Sequence, residues 1–194
     1  MTLPDKILAV NHVYLELQEE TQAFQQQSGL HCLSGCGRCC FKSDIEATAL
    51  EFLPFAWQVY EAGTAWDWYE RLRSTSSSIC LILKPTLGAD DTGMCSHYAV
   101  RGLICRLFGF SARVDKHGVK QLVTCQLIKT DQAEAYQQTS EAIAAGDPVP
   151  VMSHYYMKLH AIDPDLSRDF YPINEAIRRA LEVVMQYHAY REEN

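Results

Sequence analysis

The sequence has no long apolar run, no amino-terminal leader pattern and no excess of basic residues. No stretch approaches the roughly 18 apolar residues that a membrane span needs, and polar residues interrupt the apolar positions of residues 1–20, so neither a membrane helix nor a signal peptide is predicted. Acidic residues outnumber basic ones by 24 to 17, which gives a formal net charge of −7. From these features we expect no membrane and no nucleic-acid partner, and a cytoplasmic location.

The sequence also lacks the short motifs of several large enzyme classes. It contains no glycine-rich dinucleotide fingerprint, no phosphate-binding loop, no HExxH zinc-protease motif and no GxSxG nucleophile elbow. Neither a nucleotide-binding fold nor a hydrolase triad is therefore predicted, and no motif assigns an enzymatic activity.

The hydrophobic pattern predicts a mainly α-helical fold with a small antiparallel β-hairpin. Residues 1 to about 30 have apolar positions at helical spacing, with polar residues between them. Ser43 and Glu46 have the spacing of a capping box, so a helix is predicted to begin there. β-Branched and aromatic residues on both sides of DKHG at 115–118 predict the hairpin, with Gly118 adopting a positive φ.

The position of the cysteines suggests how the chain is organised. All eight lie between residues 30 and 127, which we predict to be a cysteine-rich metal-binding core within a single domain spanning residues 1–194. Residues 128–194 contain no cysteine and predict a helical carboxy-terminal part. In a reducing cytoplasm, clustered cysteines point to metal or redox chemistry before structural disulfides.

Half of the cysteines lie in one short segment, HCLSGCGRCCF. The spacing Cys-x₃-Cys-x₂-Cys-Cys suits thiolates that curl around a metal at about 2.3 Å from each sulfur. Gly35 and Gly37 flank Cys36 and permit the backbone angles that such a turn needs. On an extended backbone Cys39 and Cys40 would point in opposite directions, so either the loop folds tightly or the two sulfurs serve different sites.

Eight thiols fit two metal arrangements. Zinc takes four ligands, so eight cysteines could form two closed zinc sites. A 4Fe–4S cluster also takes four thiolates, which would leave four cysteines for a second role. His31 and His97 lie beside cysteines and are further candidate ligands, because imidazole binds both zinc and iron. The alternatives without a metal are buried free thiols and disulfides.

A second stretch, GMCSHYAVRGLICRLF, together with SGCGRCC, carries a resemblance to a known family. The sequence resembles the YkgJ-type cysteine-cluster proteins, which are named for a CxxCxxCC signature and described as zinc- or iron-chelating. The family pattern in the second stretch is Gly-x-Cys-x-x-Tyr-x-x-Arg-Pro-x-x-Cys-Arg-x-Phe, and the residues that fill it are Gly93, Cys95, Tyr98, Arg101, Cys105, Arg106 and Phe108. The chain departs from the family in two places: three residues separate its first two cysteines, and Gly102 replaces the proline.

The resemblance covers about residues 30 to 127 and implies eight metal-chelating cysteines. Cys80 resembles the intervening cysteine of the family and Cys125 the final one, so the implied ligands are Cys32, Cys36, Cys39, Cys40, Cys80, Cys95, Cys105 and Cys125. A related cysteine-rich region in flagellin lysine methylases is associated with an iron–sulfur cluster. The resemblance therefore supports an iron–sulfur cluster as strongly as zinc.

Three other side chains are candidates for contact with the cofactor. Arg101 and Arg106 could neutralise clustered thiolates or bind an anion, and Tyr98 could donate a hydrogen bond to a ligating sulfur. The alternatives are ordinary ion pairs or solvent exposure for the arginines and core packing for the tyrosine.

The leading hypothesis is a metal-binding protein that chelates an iron–sulfur cluster or zinc. One alternative is a redox or group-transfer enzyme that uses an iron–sulfur cluster. Another is a zinc-stapled module that binds a protein partner through its carboxy-terminal helices. A closed site is typical of structural zinc, whereas an open position or an exposed sulfur is typical of catalytic and redox sites.

Overall fold

The computed structural model describes residues 1–33, 35–88 and 92–192. Within them the helices are α1 (Leu3–Ser28), α2 (Leu53–Glu61), α3 (Ala65–Ser74), α4 (Leu103–Leu107), α5 (Gln126–Asp131), α6 (Ala133–Ala145), α7 (Met152–Ile162), α8 (Pro164–Ser167) and α9 (Ile173–Glu192). Three antiparallel strand pairs join β1 (Glu46–Ala47) to β6 (Tyr171–Pro172), β2 (Leu83–Pro85) to β3 (Gly93–Cys95), and β4 (Ser111–Val114) to β5 (Lys120–Val123). The predicted fold class, mainly α with a small hairpin, is confirmed. None of the described helices is long and apolar enough to cross a bilayer.

The chain groups into two compact units, each made of segments that are distant in the sequence. Unit 1 consists of Met1–Asn11, Gly35–Gly102 and Leu159–Asn194. Unit 2 consists of His12–Ser34 and Leu103–Lys158. The expected boundary between residues 127 and 128 lies inside unit 2, and the cysteine-rich core of residues 30–127 and the helical part of residues 128–194 stay predictions. A single domain over residues 1–194 stays a prediction.

Unit 1 has its core where α2 and α3 pack against α9. The buried face of α9 is a run of small and branched apolar side chains at helical spacing, namely Ala176, Ile177, Ala180, Leu181 and Val184. The side chain of Phe55 on α2 is also fully buried. Burial of these apolar faces drives the helices together and supplies a stable platform for the loops of the unit.

Unit 2 has a separate hydrophobic cluster formed by Phe24, Leu30, Ala112, Ile128 and Ile143. The hairpin β4–β5 contributes to it and is the one expected around residues 115–118. The carboxylate of Asp115 accepts hydrogen bonds from the backbone N–H groups of His117 at 2.8 Å and Val119 at 2.9 Å, and Gly118 has φ +82°. The predicted hairpin turn, with a positive φ at Gly118, is therefore confirmed.

The helix predicted to begin at Ser43 does not form there. Glu46 instead belongs to β1, where it pairs with Pro172. The same capping pattern recurs five residues later: the backbone N–H of Thr48 donates to Oε1 of Glu51 at 2.8 Å, and the Thr48 hydroxyl donates to the same oxygen at 3.2 Å. Both residues are fully buried, and the 3-10 turn Leu50–Phe52 leads from them into α2. Pairing with a distant strand thus overrides the local cap signal.

Candidate metal centre

The eight cysteines are divided between the two units, and none of those described forms a disulfide. Unit 1 holds Cys36, Cys39, Cys40, Cys80 and Cys95. Unit 2 holds Cys32, Cys105 and Cys125. Cys32 is exposed and the other seven are half-buried, so unit 1 contains the larger set of sheltered thiols.

The segment Cys36–Cys40 folds into a tight turn. Gly37 has φ +56°, in the left-handed region that glycine adopts without strain. The 3-10 turn Arg38–Phe41 follows at once, and the backbone N–H of Cys40 donates to the carbonyl oxygen of Gly37 at 2.8 Å. Cys39 and Cys40 are therefore on a turn, not on an extended backbone, and their side chains form a hydrogen bond. Of the two alternatives for this pair, the structure has the tightly folded loop.

The thiol of Cys39 is the more acidic member of this pair. The hydrogen bond with the Cys40 side chain is the largest cause that lowers the pKa of Cys39, to about 6. Burial opposes this effect, while the backbone N–H of Cys39 and the positive charge of Arg101 lower the pKa further. Cys39 is thus mainly a thiolate at neutral pH, and the thiolate is the form that binds metals.

A contact between two glycines holds the Cys36–Cys40 turn against β3. A β-carbon on Gly37 would overlap the carbonyl group of Gly93. A β-carbon on Gly93 would in turn lie 2.6 Å from the carbonyl oxygen of Lys84 on β2. Because three backbone segments approach this closely, only glycine fits at either position. The contact places the cysteine turn beside the strand that ends at Cys95.

Cys80 and Cys95 form a second pair of neighbouring thiols. Cys95 lies opposite Leu83 in the β2–β3 pair, and the backbone N–H of Leu83 donates to the carbonyl oxygen of Cys80 at 3.1 Å. Burial is the main cause that raises the pKa of Cys80, to about 11, and the nearby charge of Cys95 raises it further. The backbone N–H groups of Ile82 and Leu83 act in the opposite direction. Without a metal, Cys80 is therefore a neutral thiol at pH 7 that must lose its proton to become a ligand.

Arg101 and Tyr98 lie together beside the first thiol pair. The Arg101 guanidinium stacks over the Tyr98 ring, with its central carbon 3.6 Å from the ring centroid. Tyr98 belongs to the 3-10 turn Tyr98–Val100 and is exposed, whereas Arg101 is half-buried. Since the charge of Arg101 lowers the pKa of Cys39, its position suits the expected role of offsetting thiolate charge. A hydrogen bond from Tyr98 to a ligating sulfur stays a prediction.

Arg106 lies in unit 2. Its guanidinium stacks over the ring of Tyr14, with 4.3 Å between the central carbon and the ring centroid. Tyr14 is buried, and α4 carries both Arg106 and Cys105. Cys125 packs against the hydrophobic cluster of unit 2. The ligand roles of these cysteines and the cofactor contact of Arg106 stay predictions.

The two histidines beside cysteines have partners of other kinds. Nδ1 of His31 is 3.1 Å from the carbonyl oxygen of Gly29, and its backbone N–H donates to the side chain of Gln132 at 3.0 Å. The His97 ring makes T-shaped contacts with the rings of Phe55 and Trp68, with centroids 5.0 Å and 5.5 Å away. Burial, followed by the charge of Lys84, lowers the pKa of His97. His97 is thus a neutral imidazole within an aromatic cluster.

Four of the five thiols of unit 1 are arranged as two pairs, Cys39 with Cys40 and Cys80 with Cys95. Within residues 1–33, 35–88 and 92–192, no group of three or more His, Cys, Asp or Glu side chains is already positioned to hold a metal ion. The donor set nevertheless suits zinc or an iron–sulfur centre, because both are held by thiolates and Cys39 already has thiolate character.

A family model matches residues 31–143 of the chain. It is the CxxCxxCC family, with the description "Putative zinc- or iron-chelating domain", and the matched region contains all eight cysteines. The chain belongs to the CxxCxxCC family. The match extends past the expected limit at residue 127 and reaches into α6. No curated protein and no solved structure matches the chain with significance.

Membership of the CxxCxxCC family agrees with the metal-binding function expected from the cysteines. The structure adds packing roles for two glycines of the matched region that their sequence positions did not reveal. Gly93 is one, through its contact with Gly37. Gly102 is the other, because a β-carbon there would come 2.7 Å from the Phe52 ring. Proline also has a β-carbon, so contact with the Phe52 ring explains why glycine stands where the family pattern has proline. In the sequence, the departure from the family pattern was the only indication that Gly102 has a particular role.

Proposed function

We propose that this protein binds a thiolate-held metal centre in unit 1, either an iron–sulfur cluster or zinc. The observation that supports this most strongly is the pairing of thiols within one unit, Cys39 with Cys40 and Cys80 with Cys95. Four thiolates complete either a tetrahedral zinc site or the ligand set of a 4Fe–4S cluster. When bound, zinc would staple the loops of the unit, and an iron–sulfur cluster would supply electron-transfer chemistry.

The proposed ligands differ in protonation state before metal binding. Cys39 is ready as a thiolate, whereas Cys80 must release a proton. Cys36 precedes Gly37 on the same turn and is the fifth thiol of the unit. Arg101 offsets the negative charge that thiolates accumulate, and the Tyr98 ring supports the guanidinium from one side.

The proposal extends to the cysteines of unit 2 and to the location of the protein. We propose Cys32, Cys105 and Cys125 as further metal ligands, since the family match includes them, with Arg106 beside Cys105 as a source of positive charge. A cytoplasmic location fits this proposal, because free thiols persist in a reducing compartment.

The decisive experiment is elemental analysis of protein purified without oxygen. A bound cluster would give a brown protein with broad visible absorption and equal amounts of iron and acid-labile sulfide, whereas a zinc site would give colourless protein with stoichiometric zinc. Cys39→Ser and Cys80→Ser should each remove most of this metal. The control is Met94→Ser, which alters an exposed side chain beside Cys95 and should leave the metal content unchanged. Wild-type protein free of iron and zinc, or full metal content in both cysteine variants, would contradict the proposal.

A further inference from the structure

Cys80 lies in a loop that has little structure of its own. Residues 75–82 connect α3 to β2 without a helix or strand. The hydrogen bonds within the loop are short-range: the backbone N–H of Ser77 donates to Oγ1 of Thr75 at 3.0 Å, and that of Ile79 donates to Oγ of Ser77 at 3.1 Å. Such bonds shape local turns but do not attach a loop to the rest of a unit.

Two attachments to distant parts of the unit hold the loop. Ser96 donates from its backbone N–H at 3.0 Å and from its hydroxyl at 2.9 Å to the carbonyl oxygen of Ile82 at the end of the loop. The side chain of Asn174 binds the part around Cys80. Asn174 is buried near the start of α9 and is separated from the Cys80 loop by more than ninety residues of sequence. Its Oδ1 accepts a hydrogen bond from the backbone N–H of Leu81 at 2.9 Å. Its Nδ2 donates to the carbonyl oxygens of Ser77 at 2.9 Å and Ile79 at 2.8 Å. Both hydrogens of the amide are thus used, and its oxygen is engaged as well.

These bonds hold the two peptide groups on either side of Cys80. The carbonyl oxygen of Ile79 belongs to the peptide group before Cys80, and the N–H of Leu81 belongs to the peptide group after it. Rotation about φ or ψ of Cys80 would turn one peptide group relative to the other. Because a single planar carboxamide binds both groups, it restrains both angles and therefore the direction of the Cys80 side chain.

We propose that Asn174 is a positioning residue that fixes the backbone of Cys80 and so directs its thiol toward Cys95. The value of this restraint for metal binding rests on the function proposed above. Asn174 lies outside the family match at residues 31–143. The residue that positions Cys80 therefore comes from α9, which the family pattern does not contain. A ligand held in place before the metal arrives loses less freedom on binding, as is general for supporting groups around metal ligands.

The test measures the alkylation rate of Cys80 by iodoacetamide in reduced, metal-free protein, peptide by peptide with mass spectrometry. Asn174→Ala removes the clamp, and Asn174→Leu removes its hydrogen bonds while keeping most of its volume. Both should raise the rate at Cys80 at least about tenfold, because the loop opens more often. The control is Val184→Ala, which shortens another buried side chain of α9 about 15 Å further along the helix and should leave the rate within about twofold of wild type.

The outcomes separate this inference from the proposed function. Equal rates at Cys80 in wild type and both Asn174 variants would overturn the inference, and so would an increase in Asn174→Ala alone, which would indicate a cavity effect. An equal increase in Val184→Ala would also overturn it, since general loosening would then be the cause. A zinc titration on the same samples should show affinity reduced at least about tenfold in both Asn174 variants. If wild-type protein binds no metal while the alkylation rates differ as expected, the proposed function fails and the positioning of Cys80 stands.

Discussion

Gly37 and Gly93 meet backbone to backbone, with no room for a β-carbon on either residue. The contact joins a turn that carries three cysteines to the strand that carries Cys95. The two segments are more than fifty residues apart in the sequence, and their approach depends on the absence of a side chain at Gly37. The geometry of the proposed centre is therefore sensitive to single methyl groups.

Gly37→Ala should destabilise the protein more than Gly35→Ala, although both glycines have positive φ. A β-carbon on Gly35, at φ +69°, would meet no atom within 4 Å, so alanine there costs only backbone strain of about 1 kcal/mol. Alanine at Gly37 adds the overlap with Gly93, for a total of roughly 3 kcal/mol. Urea unfolding of the metal-free proteins measures both values. Equal losses would show that the glycine contact has no energetic role.

The alkylation of Cys39 should follow a thiol pKa of about 6 in metal-free protein. The rate of reaction with iodoacetamide, measured by mass spectrometry across pH 4 to 9, should be half-maximal near that pH, because the thiolate is the reacting form. Arg101→Met removes a nearby positive charge and should move the midpoint to higher pH. Arg106→Met, which removes a guanidinium that stacks on Tyr14, should leave it unchanged. A midpoint near the ordinary thiol value in wild type would refute the assignment.

The stability of the metal-free protein should decline at alkaline pH because of Cys80. Its pKa is raised to about 11 in the folded state, so folding favours the protonated thiol. That contribution is complete below the pKa of an unfolded thiol, about 8.5, and is lost as the pH rises toward 11. Wild type should therefore lose free energy of unfolding more steeply than Cys80→Ala between pH 9 and 11, by at most about 1.4 kcal/mol per pH unit.

Cys39→Ala is the control for this pH experiment. Its pKa is lowered in the folded state, so its contribution has the opposite sign: it grows as the pH rises from 6 and is complete above the pKa of the unfolded thiol. The slope between pH 9 and 11 should accordingly be the same in Cys39→Ala as in wild type. A Cys80→Ala slope equal to that of wild type would count against a buried neutral thiol.

Glu51→Ala should destabilise the protein by about 2 kcal/mol, because it removes a buried acceptor from the backbone N–H and hydroxyl of Thr48. Glu46→Ala changes an exposed side chain on β1 and should stay within about 0.5 kcal/mol of wild type. Chemical denaturation of the two variants compares the two capping patterns directly. A larger loss of unfolding free energy in Glu46→Ala than in Glu51→Ala would support the helix cap predicted at Ser43 instead.

Local patterns in the sequence were sufficient for most helices and for the hairpin. The long stripes that became α1 and α9 and the turn around Gly118 depend on residues close together in the chain, so periodicity and turn chemistry could predict them. The Ser43–Glu46 and Thr48–Glu51 patterns show the limit. Both have capping-box spacing, and the choice between them is made by the pairing of Glu46 with Pro172, which no local window contains.

The candidate site was predictable in its residue types but not in its assembly. The spacing of the Cys32–Cys40 segment predicted a turn with glycines, and the family resemblance supplied the remaining cysteines. The grouping of cysteines into two units was not predictable, because each unit combines segments from distant parts of the chain. Asn174 gave no signal either, since a single asparagine near the start of a helix is an ordinary capping residue.

The discontinuous make-up of unit 1 has a consequence during protein synthesis. All five of its cysteines are translated before the segment Leu159–Asn194, which completes the unit. At typical elongation rates, several seconds therefore pass between the synthesis of these cysteines and the synthesis of α9. Insertion of the proposed metal into a completed unit 1 must accordingly follow the synthesis of α9, and until then the thiols of the nascent chain stay free only in a reducing environment.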